Sequence, residues 1–547
     1  MIVPTVSELC SVTQATVSGE LPKRAPREQR DELKEQFRQY DIRGVVSPEL
    51  LEPNESAPSE EVSQADFQWT NRAELSLTLA YAVGCAYGAE LLSRHAHDKE
   101  RLNIAIAYDA RLSGPSLCRA LELGLRRMGL NVIRLGLVPT PVVYFATYAM
   151  SPEQSADDQR HTGEFPPCHG GIAVTGSHNP SAWNGFKMSF GHQSVYGDDL
   201  QLIARRVLEG DYTVEGSAPS LRETDAIDLE IRERYLDALL DRLLLEDRAR
   251  LRELKVVIDA GHGASGPLAK RFFERCGVQL RSLYGEPDGR FPAHHPDPTV
   301  EANLDDLKRE VRAWEADLGV AFDGDGDRIG VVDREGVVLW GDQLLLLFAE
   351  RILIERPGSM IIGEVKCSEV LYEGIRQAGG TPEMWRVGHS LIKARMKECG
   401  APLAGEMSGH LFFADRFYGF DDAIYVAGRL LERLIEPDFD LSMWRRGLPE
   451  SFNTPELRVY CADVDKVTVI NRFSEAFSPR YPVVSIDGVR VRFGEGWALV
   501  RASNTQPVLV MRFEANSSEK LAEYRALVEG WLRSNAPEVS FGLDPNH

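Results

Sequence analysis

Ile104-Ala105-Ile106-Ala107-Tyr108-Asp109 is an apolar run of strand length, and together with the two segments after it this run decides the fold class. Arg111-Leu112-Ser113-Gly114-Pro115 leads into a helical pattern that continues to about Met128. Val132-Ile133-Arg134-Leu135-Gly136 is the next apolar run. Strand, helix, strand in that order makes a mostly parallel sheet covered by helices. The alternation returns at Leu254-Lys255-Val256-Val257-Ile258-Asp259, joined by the strand Leu318-Gly319-Val320-Ala321-Phe322. It returns again from near Leu339, with a helix at 343–355 and a strand Met360-Ile361-Ile362-Gly363. From about residue 450 the pattern changes. Strands at 465–470, 489–493 and 508–513 surround one helix from about Ser518 to Arg533. The expectation is an α/β protein: three similar mixed α/β domains plus a smaller α+β C-terminal domain.

The boundaries expected are an N-terminal extension at 1–30, then domains at 31–233, 234–338, 339–449 and 450–547. Gly19 to Gln36 reads as a polar tail leading into a helix. Phe37 to Gly44 reads as a short strand ending in a glycine turn, and residues 73–95 as a helix rich in Ala and Leu. Residues 51–66 read as a solvated loop, and 151–169 as a polar, mobile insertion.

Of the 547 residues, 43% are hydrophobic and 27% charged, as in ordinary soluble chains. The net charge of −21 argues against nucleic acid or an anionic membrane as the main partner. It leaves room for a phosphorylated substrate in a local cationic pocket. No apolar run reaches the roughly 18 residues of a membrane span, and the first 30 residues lack a signal-peptide core. The eight cysteines are scattered, without CxxC or zinc spacing. Reduced thiols and a cytoplasmic location are expected.

Gly170-Gly171-Ile172-Ala173 approaches Val174-Thr175-Gly176-Ser177-His178-Asn179-Pro180 as a buried strand. A glycine-flanked serine at a strand end presents a hydroxyl, and Gly176 lets a ligand come close. Lys187 brings a cation within reach. Asp323, Asp325 and Asp327 alternate with glycines at the end of an apolar strand. Three carboxylates so close repel unless a cation neutralises them, and hard oxygen donors suit Mg²⁺. An EF-hand would need Gly where Arg328 stands and Glu where Arg334 stands. A phosphatase with Asp323 as nucleophile is a second possibility.

Gly261-His262-Gly263-Ala264-Ser265-Gly266 spells G-x-G-x-x-G between a strand and a helix, the pattern of a dinucleotide site. The motif alone is weak, and Glu286 falls past the next strand, in a turn. Arg501-Ala502-Ser503-Asn504-Thr505 comes after the strand Trp497–Val500 and offers donors that fit a phosphate. Glu406, Ser408 and His410 alternate, so an extended backbone would point them one way, toward sugar hydroxyls. His389 and His410 are general acid/base candidates, because imidazole titrates near neutrality. His294 and His295 are read as structural.

Five motifs together resemble the α-D-phosphohexomutase superfamily, closest to its bacterial phosphomannomutase/phosphoglucomutase group. They are Tyr40-Asp41-Ile42-Arg43-Gly44, Thr175 to Pro180, Asp323 to Arg328, Gly405 to His410 and Arg501 to Thr505, in the family's order from about residue 37 to 515. The resemblance implies four domains around a central cleft, and it weighs against a nicotinamide cofactor at 261–266. It implies an isomerase that interconverts hexose 1-phosphate and hexose 6-phosphate of mannose or glucose. Ser177 would be the phosphoserine and glucose 1,6-bisphosphate the activator or intermediate. One Mg²⁺ would be held by Ser177, Asp323, Asp325 and Asp327. Arg43, Lys187, Arg328, His389 and His410 would line the reacting centre. Tyr40, Lys366, Glu406, Ser408, Arg501, Ser503, Asn504 and Thr505 would bind the sugar phosphate. Met407 matches the mannose/glucose group; phosphoglucosamine and phosphoacetylglucosamine mutases are the near alternatives. A magnesium-dependent sugar phosphatase and a non-catalytic sugar-phosphate-binding protein are the alternatives of other classes.

Overall fold

In each of the three α/β stretches the last parallel strand folds back into an antiparallel neighbour, and the returning loop carries one of the chemical motifs. The computed structural model describes residues 10–15, 21, 23–25, 30–34, 36–37, 41–51, 74–95, 101–153, 155–214, 224–503 and 507–541. Tyr40, Asn504, Thr505, nearly all of 51–66 and most of the N-terminal extension lie outside the described residues.

The first sheet has the order Cys10–Ala15, Thr224–Leu229, Asn131–Leu137, Asn103–Tyr108, Gly170–Val174, Trp183–Phe190, Ile42–Val45, with Gln193–Ser194 paired to Trp183–Phe190. Its four middle strands, from Thr224–Leu229 to Gly170–Val174, pair in parallel, and the outer pairings are antiparallel. The second sheet has Gln279–Leu283, Lys255–Asp259 and Leu318–Phe322 parallel, then Ile329–Asp333 and Val338–Leu339 antiparallel. The third has Thr381–Trp385, Met360–Glu364 and Leu403–Gly405 parallel, then Leu411–Phe413 antiparallel. The serine, acid-triplet and Glu406 loops thus occupy equivalent turns. Each sheet also has a central strand that ends at an acid, or just before one, and the acid accepts the N–H two residues on: Asp109 from Arg111, Asp259 from Gly261, Glu364 from Lys366.

Helix packing follows side-chain size. Leu77–Arg94, capped by the Ser76 hydroxyl on Leu79 N at 3.2 Å, is buried over most of its surface. It lies against the helix Gly114–Arg127 through Gly84 and Gly124; a Cβ on Gly84 would sit 2.3 Å from Leu121 O. That approach is closed to any larger residue.

The C-terminal sheet is antiparallel throughout: Phe452–Asn453, Val508–Ala515, Gly496–Ala502, Val489–Arg492 and Val483–Val484, with Leu457–Tyr460 also on Val508–Ala515. Here one expectation fails. Residues 465–470 are part of the helix Asp463–Phe477, so this domain has two helices among the described residues, the second being Ser518–Asn535. The β-branched run suggests a strand. The burial has helical spacing instead: Val469, Phe473 and Phe477 are buried, and Val467 is 66% exposed. Three smaller differences concern single segments. The strand after Asp41 begins at Ile42 and runs through Gly44 to Val45. The strand that leads into the anion-binding motif extends past Val500 to include Arg501. Residues 151–169 contain the helix Ala156–Thr162, whose Asp158 pairs with Arg242 at 2.8 Å and accepts from Tyr418. These contacts anchor a segment expected to be mobile.

The chain forms two compact units. One is Met1–Leu339 with Arg416–Leu441; the other is Trp340–Asp415 with Ser442–His547. In the first, the Tyr235 hydroxyl donates to Asp422, and the helix Ala423–Leu434 lays Gly428 against Leu243 and Phe272.

Candidate active site

Ser177 lies in the turn after Gly170–Val174 with φ of 50°, a left-handed conformation uncommon for a residue with a Cβ. Its N–H donates to Thr175 Oγ1 at 2.8 Å. Its hydroxyl donates to Asp323 Oδ2 at 2.9 Å and lies 3.3 Å from His178 Nδ1. The residue is buried, so the hydroxyl faces the carboxylate.

Asp323, Asp325 and Asp327 are all buried, and one carboxylate oxygen from each lies within 4.8 Å of the others. The chain itself fixes the loop, with the N–H groups of Asp327 and Arg328 both donating to Asp323 Oδ1. Thr140 donates its hydroxyl to Asp325 Oδ2 at 2.6 Å and its N–H to Asp325 O at 2.9 Å. Lys187, also buried, donates to Asp325 Oδ2 at 2.8 Å and to Asp327 Oδ2.

Burial raises the Asp323 carboxyl well above the usual range, and Asp325 and Asp327 push it the same way. Burial also acts to raise Asp325, but the ammonium of Lys187 and the Thr140 hydroxyl hold it far below. Burial acts to lower Lys187; Asp325 and Asp327 outweigh it and hold the ammonium above its ordinary value. With all three carboxylates ionised, as cation binding requires, the ammonium would leave two negative charges uncompensated, and Asp325 Oδ1 has no hydrogen-bond partner among the described residues. This donor set fits a hard divalent cation. Arg43 pairs with Asp41 at 2.7 Å, and its like charge acts to lower the pKa of Lys187. Arg328 is half-buried.

The second unit gathers the other expected residues. Glu406, Ser408 and His410 do not lie on an extended backbone. They form the tight turn between Leu403–Gly405 and Leu411–Phe413, closed by Glu406 N donating to His410 O at 2.8 Å. A short link between paired strands must turn, so the side chains converge instead of alternating. Glu406 accepts from Gly388 N at 2.6 Å and from the Ser408 hydroxyl at 3.4 Å. His410 lies 4.0 Å from it and stacks on His389, ring centroids 5.6 Å apart. Lys366 is buried and pairs with Glu456 at 2.9 Å. Burial acts to lower its pKa, but Glu456 and Glu364 raise it. Arg501 pairs with Asp487 at 3.1 Å, and Asp487 also accepts Val387 N. Lys466 donates to Ser503 O at 2.8 Å.

Four family descriptions cover this chain in order. They are the phosphoglucomutase/phosphomannomutase alpha/beta/alpha domains I, II and III at residues 60–213, 233–336 and 340–452, and the C-terminal domain at 456–530. The chain belongs to the phosphoglucomutase/phosphomannomutase family. A phosphomannomutase/phosphoglucomutase of Pseudomonas syringae pv. tomato is 38% identical over 504 residues, 92% of this chain and 96% of that one. A phosphoglucomutase of Neisseria meningitidis serogroup A is 34% identical over 507 residues, 91% of this chain and 97% of that one. The solved structure of a phosphoglucomutase/phosphomannomutase family protein from Burkholderia thailandensis superposes with a TM-score of 0.77 at 38% identity, covering 93% of this chain and 99% of that one.

Within this family member the G-x-G-x-x-G turn offers no phosphate cradle at its start. The N–H groups of Gly261, His262, Gly263 and Ala264 all donate within the protein. Sequence reasoning missed Thr140, Asp109 and Arg111. The signal was their place: each stands just after a parallel strand, where such sheets carry their sites.

Proposed function

We propose that this phosphoglucomutase/phosphomannomutase family member runs its reaction on Ser177. It is an isomerase that interconverts hexose 1-phosphate and hexose 6-phosphate, with mannose and glucose as its sugars. The observation that carries the assignment of Ser177 is its 2.9 Å contact with Asp323 Oδ2, inside a set of buried acids that fits a divalent cation.

Phosphorylated Ser177 gives its phosphoryl group to the free hydroxyl of the sugar phosphate. The bond from phosphorus to Oγ breaks, a bond to the sugar oxygen forms, and the hydroxyl proton passes to a base. Hexose 1,6-bisphosphate results, reorients, and returns its other phosphoryl group to Ser177. Asp323, Asp325 and Asp327 would hold Mg²⁺, which when bound offsets charge on the transferring group. Lys187, Arg43 and Arg328 add positive charge around the same centre. His389 and His410 are the groups chemically able to take the proton, since Asp325 and Asp327 hold Lys187 as an ammonium. Glu406 and Ser408 are assigned to sugar hydroxyls. Arg501 and Ser503, with Asn504 and Thr505, are assigned to the phosphate that does not react, and Tyr40 and Lys366 to substrate binding. A cytoplasmic location is supported by seven described cysteines that form no disulfide. Among the described residues no helix is long and apolar enough to cross a membrane.

Intact-mass measurement after incubation with glucose 1,6-bisphosphate, paired with isomerisation of glucose 1-phosphate, tests the assignment. One phosphate on Ser177 and loss of nearly all turnover in Ser177→Ala are expected. Normal turnover by purified Ser177→Ala would sink it.

A further inference from the structure

We propose that Arg111 is the positioning residue that shapes the serine loop for phosphoryl transfer, an inference that rests on Ser177 being the group that carries the phosphate. The Arg111 side chain is fully buried, and all five of its N–H groups are used. Nη2 donates to Ser177 O at 2.8 Å and Asn179 O at 2.6 Å. Nη1 donates to Pro180 O at 2.5 Å and Trp183 O at 2.9 Å. Nε donates to Asp109 Oδ2 at 3.1 Å. The loop is therefore folded around one guanidinium.

Asp109 completes the frame. Its Oδ2 also accepts from the Thr175 hydroxyl at 2.8 Å and from Gly176 N at 3.2 Å, and Thr175 Oγ1 in turn accepts Ser177 N. Gly176 is required for the approach: a Cβ there would lie 2.5 Å from Arg111 Cζ. The guanidinium also faces the Phe291 ring, 5.2 Å from its centroid. Ser177 sits in the left-handed region, which the loop must stabilise against its intrinsic preference. Carbonyls of three loop residues and of Trp183 at the start of the next strand, each turned toward one planar fork, supply that constraint. An ammonium has three donors from one point and cannot span the same set.

A group that sets the nucleophile's place acts on the chemical step more than on substrate affinity. Misplacement of about 1 Å costs on the order of 10²-fold in rate. Arg111→Lys is therefore expected to lower kcat about 100-fold with KM within about threefold of wild type. Gly176→Ala, which keeps every hydrogen-bonding group and only pushes the guanidinium off the loop, is expected to give the same split. In Arg111→Gly, added guanidinium ion is expected to restore part of kcat, while ammonium does not. Steady-state kinetics on glucose 1-phosphate and intact mass for phosphate on Ser177 are the readouts, on the full chain. If wild type carries no phosphate on Ser177, the assignment of Ser177 has failed, independently of Arg111. If wild type does, but folded Arg111→Lys and Gly176→Ala keep kcat within about threefold, the Arg111 inference is overturned. Failure of both to fold also overturns it, because Arg111 would then hold up the domain and not the loop.

Discussion

Thr140 Oγ1 donates to Asp325 Oδ2 at 2.6 Å across 185 residues of chain. A threonine just past a strand of one sheet thereby orients an acid in another sheet's loop. Partners of this kind fix the direction of a ligand oxygen before the metal arrives.

Thr140→Val keeps the shape and removes the donor. The Mg²⁺ concentration needed for half-maximal activity is expected to rise about 10- to 100-fold, with kcat at saturating Mg²⁺ little changed. An unchanged activation curve would show that Asp325 needs no such support.

Lys187 shares its buried ammonium between Asp325 and Asp327. Lys187→Met should leave those acids uncompensated and cost about 3–5 kcal/mol in metal-free protein. Mg²⁺ should then stabilise the variant more than it stabilises wild type, seen as a larger shift of the urea midpoint. Equal shifts would mean the ammonium and the cation do not compete for the same charge.

His294 faces acceptors at both ring nitrogens, Asp259 at 3.0 Å and His295 O at 3.0 Å, with Tyr284 and Asp306 nearby. Burial acts to lower its pKa, but the Asp259 carboxylate raises it above 6.5. A folded value above the unfolded one gives stability that is full below about pH 6.5 and lost as pH rises through the folded pKa. His294→Gln should flatten the stability profile over that window in chemical denaturation. A wild-type profile already flat there would remove the ion pair from consideration.

The helix Asp463–Phe477 gives a contrast between neighbours. Phe473→Ala empties a buried site and should cost about 3–5 kcal/mol. Val467→Ala, on the exposed side, should stay within about 0.5 kcal/mol. A large loss at Val467 in thermal unfolding would place it in an interface that the isolated chain does not show.

The alternation at 104–136 and at 254–283, and the acids and serine at strand ends, are legible because each depends on a few adjacent residues. Val467 to Ile470 mislead for the same reason. Locally those residues favour a strand, and only the packing of Val469, Phe473 and Phe477 into one core makes them a helix. The turn of Glu406 to His410 is illegible because alternation of residue types does not reveal that the flanking strands pair with each other.

Periodicity and residue type are local properties, so the strand and helix alternation before residue 450 and the chemistry of each loop are written in adjacent residues. That Ser177 meets Asp323, that Lys187 and Thr140 converge on Asp325, and that Arg111 gathers the carbonyls of the serine loop follows from the packed fold alone. Those pairings join positions far apart in the chain. They form because buried charges and donors must find partners wherever the sheets bring them, and no local pattern specifies which partner that is.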